Sequence, residues 1–135
     1  MSAMNGKEIF DTNIIQKYLY EDLSENGLEL IDNLLDSSDS QISVITRMEL
    51  LSFSPTEIDL VKFINQFISF SKELALSESI IQKTIEIRKA YKIKLPDAII
   101  AATANANNLT LLSDNDSDFG KIMHLKYLNP RKYFT

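Results

Sequence analysis

Apolar residues recur along this chain in two rhythms: short runs that stop at polar residues, and longer stretches where they return every three or four positions. The first rhythm predicts buried strands and the second helices that lay one face on a core. Glu8 to Phe10 is such a run, cut off by Asp11-Thr12-Asn13, and it reads as a strand opening into a helix over Ile14–Tyr20. Leu28, Leu30, Ile31, Leu34 and Leu35 form a helical stripe, and a polar loop, Asp36–Ser40, leads to a second strand at Gln41–Ile45. A helix then begins at Thr46, breaks at Phe53-Ser54-Pro55-Thr56, and gives way to another from Glu57 to Phe70. Phe63, Phe67 and Phe70 recur there at i, i+4 and i+7, a spacing for core or dimer surface rather than for base stacking. Glu73–Leu76 reads as a short strand, and Ser77 as the cap of a helix through Tyr91. Pro96 suits the first position of an Ala-rich helix reaching Ala104. Leu109–Leu112 and Leu125–Leu128 close the pattern as strands, followed by a basic tail, Asn129–Tyr133. Strands alternating with helices predict an α/β fold.

Length changes this picture little, since 135 residues make one ordinary domain, 1–135, able to bury a core without staples. The absence of cysteine excludes a disulfide framework and thiolate metal sites. The amino-terminal Met1–Gly6 lacks an apolar signal core, and no apolar run approaches the ~18 residues of a membrane span. Together these predict an intracellular, cytoplasmic protein with no membrane partner. A net charge of −5 argues against a polyanion as partner, but the charge is uneven. Residues 1–82 carry 5 Lys and Arg against 14 Asp and Glu (−9), whereas residues 83–135 carry 9 against 5 (+4). Lys89, Lys92 and Lys94, joined by Arg131 and Lys132, are the expected contacts for a phosphate backbone.

The candidate chemistry is acidic, and each acid has a local explanation. Asp11 fits a helix cap as well as a catalytic carboxylate. Thr46 and Glu49 match the capping box S/T-x-x-E. Asp97, in a first helical turn, is favoured by the helix dipole. Ser113-Asp114-Asn115-Asp116-Ser117-Asp118 reads by default as a turn. His124, the only histidine, reads as a surface residue. Yet all four acidic places begin at a strand end or a helix start, and in a parallel sheet those positions share one rim. Carboxylates clustered without a basic partner are either partly protonated or neutralised by metal, and all-oxygen ligands select Mg²⁺ or Mn²⁺.

The segments Phe10–Ile15, Ser43–Leu51, Lys94–Ala104 and Leu111–Phe119, in this order and spacing, resemble the PIN-domain nucleases. The likeness is greatest to the toxin subunits of VapBC-type toxin–antitoxin pairs, and Leu95-Pro96-Asp97-Ala98 is its strongest part. The resemblance implies a three-layer α/β/α sandwich around a mostly parallel sheet, and metal-dependent endoribonuclease activity. It also implies a cognate antitoxin and a homodimer. By that likeness Asp11, Glu49, Asp97 and Asp118 are catalytic and hold Mg²⁺ or Mn²⁺, with Asn13, Ser113, Asn115 and Asp116 supporting the site. Asn115, Asp116 and Asp118 compete for the fourth ligand position, and Ser113 stands where the family usually has threonine.

Two other classes compete with this reading. A phosphatase using Asp11 as nucleophile needs a second acid two residues later, where this chain has Asn13. A catalytically silent module with the same fold has no need of intact acids at the three main positions.

Overall fold

A computed structural model describes residues 7–37 and 40–132; the sequence readings on Met1–Gly6, on Ser38 and Asp39, and on Tyr133 lie outside these. Its five strands are β1 (Glu8–Phe10), β2 (Gln41–Ser43), β3 (Lys72–Leu74), β4 (Thr110–Leu112) and β5 (Tyr127–Leu128). They form one sheet in the order β3-β2-β1-β4-β5, and every pairing is parallel. Phe10 lies opposite Leu112, so β1 and β4 end level with one another.

Successive residues of β1 and β4 point to opposite faces, as the pleat requires. Ile9 and Leu111 join one core with α5 (Glu78–Ala90), α6 (Leu95–Ala106) and α7 (Asp116–Phe119). Phe10 and Leu112 join the other with α1 (Thr12–Leu19), α2 (Glu25–Asp36), α3 (Val44–Ser52) and α4 (Ile58–Phe70). This is the expected three-layer α/β/α sandwich. The Phe pattern of α4 is settled by burial: Phe67 is in the core, edge-on to Phe10, while Phe70 is 76% exposed.

Helix α6 is the most deeply set. Ala98 through Ala104 are all buried, and an element apolar on every side belongs inside. Small Ala side chains let it lie close between the sheet and α5. It stops where Asn107 and Asn108 follow, Asn108 taking the left-handed conformation (φ 55°) that Asn tolerates. At the other end of the chain, a 3₁₀ turn, Pro130–Lys132, rests on α2. A Cβ on Gly27 would stand 2.7 Å from the Pro130 carbonyl oxygen, so only glycine allows this approach. Among the described residues no helix is long and apolar enough to cross a membrane.

Candidate active site

The sheet order makes β1 the point where the chain's winding turns outward in both directions, and a crevice opens beyond the carboxyl ends at such a point. Asp11 is the first residue past β1. Its N–H donates to the Leu112 carbonyl (2.9 Å), which continues the ladder by one rung and holds the residue at the rim. The side chain is only 3% exposed. It caps no N–H of α1 through a side-chain bond across the helix turn. Instead Ser113, next after β4, donates its hydroxyl to Asp11 Oδ2 at 2.7 Å. Burial raises the Asp11 carboxyl from 3.8 to about 6, and the neighbouring Asp97 and Glu49 add to the rise. The bonds from Ser113 and the Thr12 N–H pull the other way.

Asp97 enters from the first turn of α6, which starts at Leu95 and so places Pro96 second rather than first. Burial is again the main cause that raises its carboxyl, followed by the charges of Asp118 and Glu49, with Lys94 opposing. Asp118 belongs to α7, a single turn inside the stretch expected to be loop. Asn115 caps that turn: its Oδ1 accepts the Asp118 N–H (3.3 Å), and its Nδ2 donates to Asp118 Oδ2 (3.1 Å). Asn115 in turn donates its N–H to Ser113 Oγ at 3.1 Å, so three hydrogen bonds, through Asn115 and Ser113, link Asp118 to Asp11.

Glu49 arrives by a different route from the one its sequence suggests. The capping box is not formed, because β2 ends at Ser43 and Ser43 itself caps α3, accepting the Thr46 N–H at 3.1 Å. The β-branched Val44 and Ile45 look like strand, but they are the first two helical residues. Glu49 therefore lies in the second turn, beyond reach of a free N–H, and its Oε1 accepts the Thr12 hydroxyl at 2.6 Å.

The structure thus brings Asp11, Glu49, Asp97 and Asp118 to one rim, with Ser113 and Asn115 as their supports. Asn13 is exposed on α1. Asp116 turns toward the carboxyl-terminal segment, where it accepts bonds from the Tyr127 hydroxyl, Asn129 Nδ2 and Lys132. Those bonds, the one from Lys132 first, hold its carboxyl down at about 2. The donor set is all oxygen, and the exposed His124 sits in a turn before β5. Such donors suit a hard divalent cation. Among the described residues, however, no three acid or imidazole side chains are drawn into a ready-made ligand cage.

A family model described as PIN domain matches residues 9–125. The chain belongs to the PIN domain family. Among solved structures it is similar to a toxin–antitoxin complex from Klebsiella pneumoniae, at 28% identity and TM-score 0.70, covering 91% of this chain and 97% of that one. It is also similar to DNA-bound VapBC from Salmonella typhimurium (23% identity, TM-score 0.75, 92% and 98% covered). A third is VapBC-1 from nontypeable Haemophilus influenzae (24%, TM-score 0.74, 93% and 98%). These last two likenesses show the fold alone. No curated protein matches the sequence.

Within this PIN domain several functional contacts carry no signal in the sequence. Thr12 is a buried hydroxyl whose partners, Thr46 and Glu49, lie more than thirty residues away, so no local motif announces it. Lys121 stands 3.8 Å from Asp118 Oδ1 and donates to the Lys92 carbonyl, which puts a cation beside the rim from an unremarkable stretch. Conversely, two of the expected backbone contacts are spent elsewhere. Arg131 bridges Asp22 and Asp114, and Lys132 pairs with Asp116. Lys17 is also bonded to Asp114, so the carboxyl-terminal turn, the loop before α7 and α1 are tied by one acid. Lys89, Lys92 and Lys94 remain exposed at the end of α5 and the start of α6.

Proposed function

We propose that this PIN domain is a divalent-metal-dependent endoribonuclease, the toxin of a toxin–antitoxin pair. The observation that carries the reading is a contrast between acids. Asp114 and Asp116 are each bonded to Lys or Arg, and Asp118, from the same loop, has Lys121 at 3.8 Å. Asp11 is buried among other acids, and the one stabilising side-chain bond it accepts comes from a neutral serine. Carboxylates gathered in this way are completed by a cation.

Asp11 and Asp97 would hold Mg²⁺ or Mn²⁺ with Glu49 or Asp118. When bound, the ion supplies a Lewis acid for the phosphodiester and lowers the pKa of an attacking water. Ser113 keeps Asp11 oriented, and Asn115 does the same for Asp118. A shallow, open hollow of about 460 Å³, walled by Met48, Phe53 and Pro96, adjoins Glu49 and would seat a nucleotide beside that one acid. Lys89, Lys92 and Lys94 would meet the RNA backbone, so binding in EDTA should weaken as salt rises.

Purified protein should cleave RNA in Mg²⁺ or Mn²⁺, stop in excess EDTA, and leave DNA of the same sequence whole. Cleavage that persists in EDTA defeats the metal assignment, and equal cutting of DNA defeats the RNA assignment. A small protein encoded beside the chain should co-purify with it and suppress the cleavage, as the likeness to toxin–antitoxin complexes suggests.

Self-association belongs to the same reading. Helix α4 leaves Ile58 69% and Phe70 76% exposed, with Val61 between them, more apolar surface than one sheet face has covered. Sedimentation velocity at high micromolar concentration should give a dimer; a monomer removes the claim.

A further inference from the structure

We propose that Thr12 is a positioning residue that holds the Glu49 carboxylate in the acidic cluster, at the end of a buried line of hydroxyls running from β2. This rests on the metal-dependent reading above. Ser43, Thr46 and Thr12 are 1%, 0% and 5% exposed, so none of them can turn to bulk water for a partner. The Ser43 and Thr46 hydroxyls lie 3.4 Å apart, and those of Thr46 and Thr12 are 3.0 Å apart. Thr12 has a single proton, and the 2.6 Å contact with a carboxylate takes it. The Thr46 hydroxyl, at 3.0 Å, is the longer alternative acceptor for that proton, and it accepts the Ser43 hydroxyl in turn.

Glu49 needs such help more than the other three acids. Asp11, Asp97 and Asp118 have short side chains fixed by a strand end, a buried helix and a capped turn. Glu49 is exposed, has one more rotatable bond than an aspartate, and lies in the second turn of α3. The bond from Thr12 fixes one carboxylate oxygen and ties α1 to α3 at the rim, while it leaves the second oxygen for a ligand. Partners of this kind orient ligating carboxylates, and their loss commonly weakens metal binding about 10–100-fold.

The test is Mn²⁺ affinity by calorimetry, with melting in EDTA as the check on folding, for the parent, Thr12→Val, Thr12→Ser and Thr12→Val in a Glu49→Gln background. Thr12→Val keeps the shape and removes the hydroxyl. It should raise the Mn²⁺ Kd at least about tenfold, and Thr12→Ser should return it to within about threefold of the parent. In the Glu49→Gln background Thr12→Val should add little further loss. A Thr12→Val protein that binds Mn²⁺ like the parent overturns the proposal, as does Thr12→Ser failing as badly as Thr12→Val. Losses that simply multiply in the double variant place Thr12 in a general structural role and overturn it too. A parent that binds no Mn²⁺ overturns the metal reading itself, a result distinct from the others. Should Thr12→Val not fold, Thr12→Ala carries the same comparison with a smaller side chain.

Discussion

On the proposed reading Asp97→Asn should cleave RNA at least about a hundredfold more slowly than the parent in saturating Mg²⁺, because it would remove one of the groups that hold the ion. Changes one step further out already cost about 10–100-fold. The fold should not suffer. The Asp97 carboxylate is disfavoured where it stands, by burial first and then by Asp118 and Glu49, so a neutral amide of nearly the same shape relieves the cluster. In EDTA the variant should melt at the parent's temperature or above it. On addition of Mg²⁺ or Mn²⁺ it should gain less, since a ligand stabilises the folded state by RT ln(1 + [L]/Kd). If Asp97 served only the dipole of α6, the change would instead cost about 0.3–1 kcal/mol and leave the metal response untouched. Melts of both proteins in EDTA and through a metal titration separate these outcomes, and identical metal responses would dismiss Asp97 from the site.

Asp11→Asn should stabilise the metal-free protein, and more so at neutral pH than in mild acid. The Asp11 carboxyl titrates at about 6 in the folded chain against 3.8 as its ordinary value. Between those values the folded state holds the proton and the unfolded state has lost it, so the folded form binds more protons and stability falls as pH rises. The cost of keeping Asp11 ionised is therefore complete above about pH 7 and absent well below 3.8. A shift from 3.8 to about 6 corresponds to roughly 3 kcal/mol, of which roughly 2 kcal/mol develops between pH 4.5 and 7.5. Asp97 is shifted the same way and reinforces the slope in both proteins. Asp114 and Asp116 are shifted down, and their contribution is lost only at lower pH, outside this window. The Asn amide can still accept from Ser113 but holds the Thr12 N–H less well, so the net gain at pH 7.5 should be nearer 2 than 3 kcal/mol. Urea melts in EDTA at pH 4.5 and 7.5 measure it. A difference between variant and parent that does not change with pH would mean that Asp11 is not the strained acid of the cluster.

Much of this molecule was legible as a string. The stops after Phe10 and Leu112 are tertiary facts written locally, because an apolar run ends where a strand leaves the core. The positions of Asp11 and Ser113 follow from them. Leu95-Pro96-Asp97 is likewise local, a helix start read from proline and acid, and it was misplaced by a single residue. Glu49 was less legible. Ser43 and Thr46 are both good helix caps, and only the pairing of β2 with β1 and β3 determines how far the strand extends. Once it ends at Ser43, Glu49 is carried from the capping turn to the rim beside Thr12. The loop from Ser113 to Asp118 shows the same limit. Its acids are interchangeable in sequence, yet Asn115 and α7 turn Asp118 toward Asp97, while Tyr127, Asn129 and Lys132 draw Asp116 to the other side. Arg131 and Lys132, counted in sequence as free cations, are absorbed by Asp22, Asp114 and Asp116 for the same reason. Periodicity and capping act over a few residues and are recorded there. The direction in which an ionised side chain points is decided by partners brought from tens of residues away, and only the folded sheet assembles them.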